Sequence, residues 1–78
     1  MRKIYELNIN KSQKLLLYVL KELGAYDEAI PVTLDELTKI SSMNRLTVNN
    51  NLKELHQNNF IIVESGKGQA SNSYRLNL

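Results

Sequence analysis

The chain has 78 residues, enough for one small domain and too few for a second core. Hydrophobic residues are 42% and charged residues 23% of it, the balance of a soluble globular protein, and a formal net charge of +2 excludes a polycation or an acidic tail. It has no cysteine, which excludes a disulfide, a thiolate nucleophile and a cysteine metal site.

Residues 4–9 alternate, with Tyr5, Leu7 and Ile9 on one face and Glu6 and Asn8 on the other. Period two predicts a short N-terminal extended arm or edge strand over residues 1–9, with the domain proper at 10–78. Asn10 is a candidate N-cap, and Gln13, three residues on, completes a capping-box pattern. Leu16, Val19, Leu20 and Leu23 follow at the spacing of one helical stripe, and Gly24 suits the left-handed residue that ends a helix. A first helix is expected over 11–23. Leu15, Leu17 and Tyr18 exceed what one stripe needs, which fits either a subunit contact or a wide core face. The run from Leu15 to Leu20 lies between Lys14 and Lys21, far short of the roughly twenty apolar residues of a bilayer span. The N-terminus also lacks the apolar stretch of a signal sequence, so the chain reads as cytoplasmic.

After a loop holding Pro31, Val32 and Thr33 predict a brief extended segment. Thr33 and Glu36 then form a second capping box, with Val32 placed to staple onto Leu37. Leu34, Leu37 and Ile40 are expected to line the buried side of this helix, and Ser41-Ser42 to end it. Asn44 caps a third helix, predicted at 45–57, whose Val48, Leu52 and Leu55 form the inward stripe. Asn58-Asn59 closes it, asparagine being second to glycine at a left-handed cap. Phe60-Ile61-Ile62-Val63 and the alternating Tyr74, Leu76 and Leu78 read as two strands, joined by the polar, glycine-rich residues 66–72 as a hairpin loop.

The order is helix, extended piece, helix, tight turn, helix, hairpin. From Leu34 to Leu78 (LDELTKISSMNRLTVNNNLKELHQNNFIIVESGKGQASNSYRLNL) the sequence resembles the winged helix-turn-helix superfamily. It is most similar to the small domains of bacterial, phage and plasmid replication initiators, replisome organisers and transcriptional regulators. The runs Asn44-Arg45-Leu46-Thr47-Val48, Leu52-Lys53-Glu54-Leu55 and Asn59-Phe60-Ile61 carry the resemblance. It implies an α+β fold: three helices, a C-terminal β-hairpin wing and the short N-terminal extended arm. It also implies sequence-specific binding of double-stranded DNA through a recognition helix at 45–57 and a wing at 66–72. Two departures stand out: Asn59 occupies a position where such families usually carry glycine, and the recognition helix holds fewer cations than usual.

Charge follows the same division. Residues 1–24 carry five cations and two anions, residues 25–43 one and four, and residues 44–78 four and two. The second helix is the acidic part, where Asp35 and Glu36 suit a helix N-terminus. Opposite the inward stripe, the third helix presents Arg45, Leu46, Asn49, Asn50 and Lys53. Asparagine pairs bidentately with adenine and arginine with guanine, while a leucine can meet a thymine methyl. Asn44 and Thr47 are short donors for phosphates near the helix start, and Lys67 and Gln69 play that part in the wing. Together these residues point to an A·T-rich site. The triplet Asn49-Asn50-Asn51 also fits a composition rich in asparagine, with ten in the chain. Few cations imply weak single domains working as a homodimer or on repeated sites, through Tyr5, Leu7, Leu17 and Tyr18.

Gly66-Lys67-Gly68 lacks the spacing of a phosphate-binding loop, and His56 has no second histidine or carboxylate at metal spacing. No cofactor, metal or enzymatic activity is expected. Replication initiation is the expected role, with transcriptional regulation the alternative within the same fold. A protein-interaction module without DNA binding is the alternative from another class.

Overall fold

The computed structural model describes residues 2–65 and 72–78. A 3-10 turn (Ile4–Glu6) leads into α1 (Lys11–Glu22), β1 (Ile30–Val32), α2 (Leu34–Ser41), α3 (Arg45–Gln57), β2 (Ile61–Ser65) and β3 (Asn72–Leu76). The strands form one antiparallel sheet in the order β1-β3-β2. β3 pairs with β2 from Ile61↔Leu76 to Ser65↔Asn72, and with β1 from Ile30↔Tyr74 to Val32↔Asn72. Pro31 is tolerated there because β1 is an edge strand.

Caps set the helix boundaries. The Asn10 side chain accepts from Gln13 N–H at 2.8 Å, and the Asn44 side chain accepts from Thr47 N–H at 2.8 Å. Thr33 and Glu36 form the reciprocal capping box, each side chain accepting from the other's backbone N–H. Two helices end in the same bond pattern, one with glycine and one with asparagine at the left-handed position. After α1, Gly24 (φ 95°) donates to Lys21 O and Ala25 to Leu20 O; after α3, Asn59 (φ 63°) donates to His56 O and Phe60 to Leu55 O. Both ends are then tied to the end of β3. Leu76 N–H donates to Ala25 O at 2.8 Å, and Asn77 N–H to Phe60 O at 2.9 Å.

The core joins Leu16, Leu17 and Leu20 of α1 to Leu37, Val48, Leu52 and Leu55 of the other helices, over Ile61, Tyr74 and Leu76 of the sheet. Four expectations change. Residues 4–6 are not extended: Glu6 N–H donates to Lys3 O and Leu7 N–H to Ile4 O, and only from Leu7 does the chain straighten. The 3-10 spacing of three brings Ile4 and Leu7 to one side, where both bury, and leaves Tyr5 62% exposed. Leu7 and Leu17 are therefore core residues and cannot form a subunit contact. On α2 the inner side is Leu34, Leu37, Thr38 and Ser41, while Ile40 is 51% exposed, because a stripe running 34, 37, 41 turns residue 40 outward. Finally, the buried Gln13 side chain does not reach back to its cap but donates across to the Glu54 carboxylate on α3.

Candidate nucleic-acid interface

Three residues (Ser42, Met43 and Asn44) separate α2 from α3. The turn is set by Ser42 in the left-handed region (φ 60°), with Met43 N–H donating to Ser41 Oγ. Asn44 then starts α3 with its side-chain oxygen committed to the cap, so as a phosphate ligand it could use only its amide nitrogen.

A helix of 13 residues at 100° per residue has four sides, and each side of α3 meets something different. Val48, Leu52 and Leu55 face the core. Thr47, Asn51 and Glu54 face α1: Asn51 Nδ2 donates to Thr47 O at 2.8 Å, Asn51 Oδ1 accepts from Asn10 Nδ2 at 3.3 Å, and Glu54 holds Gln13. Arg45 and Asn49 lie on the flank towards α2, where the Arg45 guanidinium donates to the Asp35 carboxylate. Leu46, Asn50, Lys53 and Gln57, at i, i+4, i+7 and i+11, form the outer side. All four are exposed, Leu46 to 69%, and among the described residues the side chains of Asn50, Lys53 and Gln57 make no hydrogen bond or ion pair.

The residues expected from the sequence therefore divide. Leu46, Asn50 and Lys53 share one outward stripe. Arg45 stands beside it, exposed but paired to Asp35, and Asn49 is half-buried on that same flank. Thr47 is half-buried on the opposite flank, with its backbone used in capping and in the Asn51 bond. Lys67 and Gln69 lie outside the described residues, as does the hairpin loop at 66–71; Asn72, expected in that loop, begins β3. Two features escaped the sequence reading. Gln57 continues the outer stripe and could have been found from the helical spacing alone. The Asp35–Arg45 pair joins the first turns of two helices ten residues apart, a relation that no local periodicity encodes.

The dipole of α3 puts partial positive charge at its N-terminus, so its first turn favours an anion. His56 is exposed in the last turn. Among the described residues no three histidine, aspartate or glutamate side chains could jointly hold a metal ion. No helix among them is long and apolar enough to cross a membrane.

No protein-family model matches the sequence, and no curated protein matches it. Among solved structures the fold is similar to the crystal structure of a MarR family transcription regulator, with a TM-score of 0.75 and 19% sequence identity. The similarity covers 95% of this chain and 46% of that one, so this chain spans about half the length of the regulator it matches. The likeness is one of fold: the chain has a winged helix-turn-helix fold of the α+β class, with α2 and α3 as the helix-turn-helix and β2–β3 in the place of the wing.

Proposed function

We propose that the domain binds double-stranded DNA by laying the outer side of α3 in the major groove. The observation that carries this reading is the stripe Leu46–Asn50–Lys53–Gln57, an apolar, amide and cationic surface held on a capped helix that the rest of the fold leaves open to solvent. Asn50 is the adenine reader, Leu46 the contact for a thymine methyl and Lys53 a phosphate ligand; Arg45 joins them once released from Asp35. That set favours an A·T-rich site. With four or five phosphate contacts, one domain has a log–log salt slope of about −4, so useful affinity needs a homodimer or several copies on repeated sites.

The role we assign is transcriptional regulation rather than replication initiation, because a solved structure of similar fold is a transcription regulator. Sequencing the genomic fragments retained by the purified domain tests this directly. Operators upstream of genes support it; clustered origin repeats overturn it. For binding itself, the test is retardation of A·T-rich and G·C-rich duplexes at low salt. Asn50→Ala should cost about 1–3 kcal/mol on the preferred duplex, and Lys53→Ala should weaken both duplexes alike while flattening the salt slope by about 0.9. Absence of retardation at micromolar protein would favour a protein-docking role and sink the proposal.

A further inference from the structure

A second surface of the molecule, away from α2 and α3, is concave and sets cations beside aromatic rings. A cleft of about 460 Å³ opens between the N-terminal turn, the outer side of α1, the loop after α1 and the end of β3. That volume lies in the range of small-molecule sites, roughly 300–1,000 Å³. Its rim carries three cations, Arg2, Lys3 and Lys21, and three rings, Tyr5, Tyr18 and Tyr26; among the described residues no acidic side chain lines it. Ile4 and Leu76, both buried, form the floor. The Arg2 guanidinium lies 5.0 Å from the ring centre of Phe60, which is outside the lining, and Lys3 Nζ lies 5.9 Å from the ring centre of Tyr5, which is part of it. None of the lining residues belongs to α2 or α3, so nothing here depends on the proposed DNA contact.

We infer that this cleft binds a nucleotide, with the phosphates against Arg2, Lys3 and Lys21 and the base stacked on the tyrosines. Three cations without a neighbouring acid in the lining call for a multiply charged anion, since a single carboxylate would match only one of them. Exposed tyrosine faces beside those cations call for a planar group, and stacking on them tolerates any base. A nucleotide joins both features in one molecule of suitable size. An adjoining cleft shares Tyr26 and Leu76 and adds Arg75 but also Asp27, which places the anionic end at the α1 side.

Isothermal titration calorimetry of the intact chain with ATP, tripolyphosphate and adenosine tests this. ATP should bind at least about tenfold more tightly than either fragment, and Lys21→Ala and Tyr18→Ala should each weaken it by about tenfold. Both substituted side chains are exposed, so circular dichroism should show both variants folded. ATP binding that survives both substitutions would place the ligand elsewhere and overturn the inference. Tripolyphosphate binding as tightly as ATP would remove the ring from the argument and overturn it as well. So would no ATP binding up to millimolar concentration together with a dimer, seen by sedimentation, that Tyr18→Ala dissociates; the cleft would then be a surface for a second copy.

Discussion

In the free domain Arg45 is turned away from the outer side of α3 by Asp35, which sits in the first turn of α2 and accepts from its guanidinium. Asp35→Asn keeps the shape of the side chain and removes its charge. The two side chains are 65% and 79% exposed, so solvent screens the pair and its worth is about 0.2–1 kcal/mol. DNA binding by Arg45 must give up that energy. The variant does not, which alone raises affinity by about 1.4- to 5-fold. Asp35 also cancels one positive charge near the proposed phosphate contacts, so its loss should steepen the log–log salt slope by about 0.9. The domain itself becomes less stable, because Asp35 also favours the N-terminus of α2 by about 0.3–1 kcal/mol. Binding should therefore be measured well below the thermal transition, by fluorescence anisotropy on a labelled A·T-rich duplex over a salt series. The control is Arg45→Ala, on which Asp35→Asn should add nothing beyond a small gain. Equal or weaker binding by a folded Asp35→Asn protein would refute the idea that Asp35 restrains a DNA ligand. A full gain persisting on the Arg45→Ala background would refute it too, since the effect would then be general repulsion of DNA.

Other expectations concern stability and are checked by thermal and chemical denaturation. Glu54→Ala leaves the buried Gln13 amide without its acceptor and should cost about 1–3 kcal/mol, with Gln13→Ala in the same chain costing less than the two singly combined. Among the described residues the buried Thr38 hydroxyl has no hydrogen-bond partner, so Thr38→Val should leave stability unchanged or raise it by up to about 1 kcal/mol. Gly24 has room for a methyl group, its nearest neighbour being Ile30 Cδ1 at 3.9 Å from an added Cβ, but its φ of 95° disfavours one; Gly24→Ala should destabilise by about 1–2 kcal/mol. A loss no larger than a few tenths would show that the helix end can relax.

Local rules account for what could be read from the sequence. Asn10, Thr33 and Asn44 satisfy backbone donors within three residues, and Gly24 and Asn59 relieve a steric constraint at a single position. Such signals need no knowledge of the rest of the chain. Ile40 and Gln57 were a matter of helical spacing; the other misreadings are places where distant contacts choose between local options. Alternating residues at 4–9 fit a strand, but a 3-10 turn buries Ile4 as well as Leu7 against the domain, where an edge strand would have had to find a partner. Gln13 had an equally local partner in its own cap, yet burial beside α3 made the Glu54 carboxylate the stronger acceptor. β1 has only three residues, and its pairing with β3 across some forty positions has no period to announce it.

The candidate interface follows the same logic, and its small charge has a structural reason. α3 spends one side on the core, one on α1 and one on α2, and the last two are polar because Asn51, Glu54 and Arg45 on them bond to the neighbouring helices. Of the five asparagine, arginine and lysine residues between 45 and 53, Asn51 is tied to α1 and Arg45 to α2, and Asn49 is half-buried beside it. Only Asn50 and Lys53 are left to face outward with Leu46 and Gln57. A cation held by a carboxylate on the neighbouring helix contributes little to nonspecific attraction until a phosphate or a guanine displaces the carboxylate. In the proposed complex the pair would thus lower affinity for every duplex, but least where Arg45 finds a better acceptor than Asp35. On this reading the modest net charge does not weaken the case for DNA binding; it shifts the balance from affinity towards discrimination.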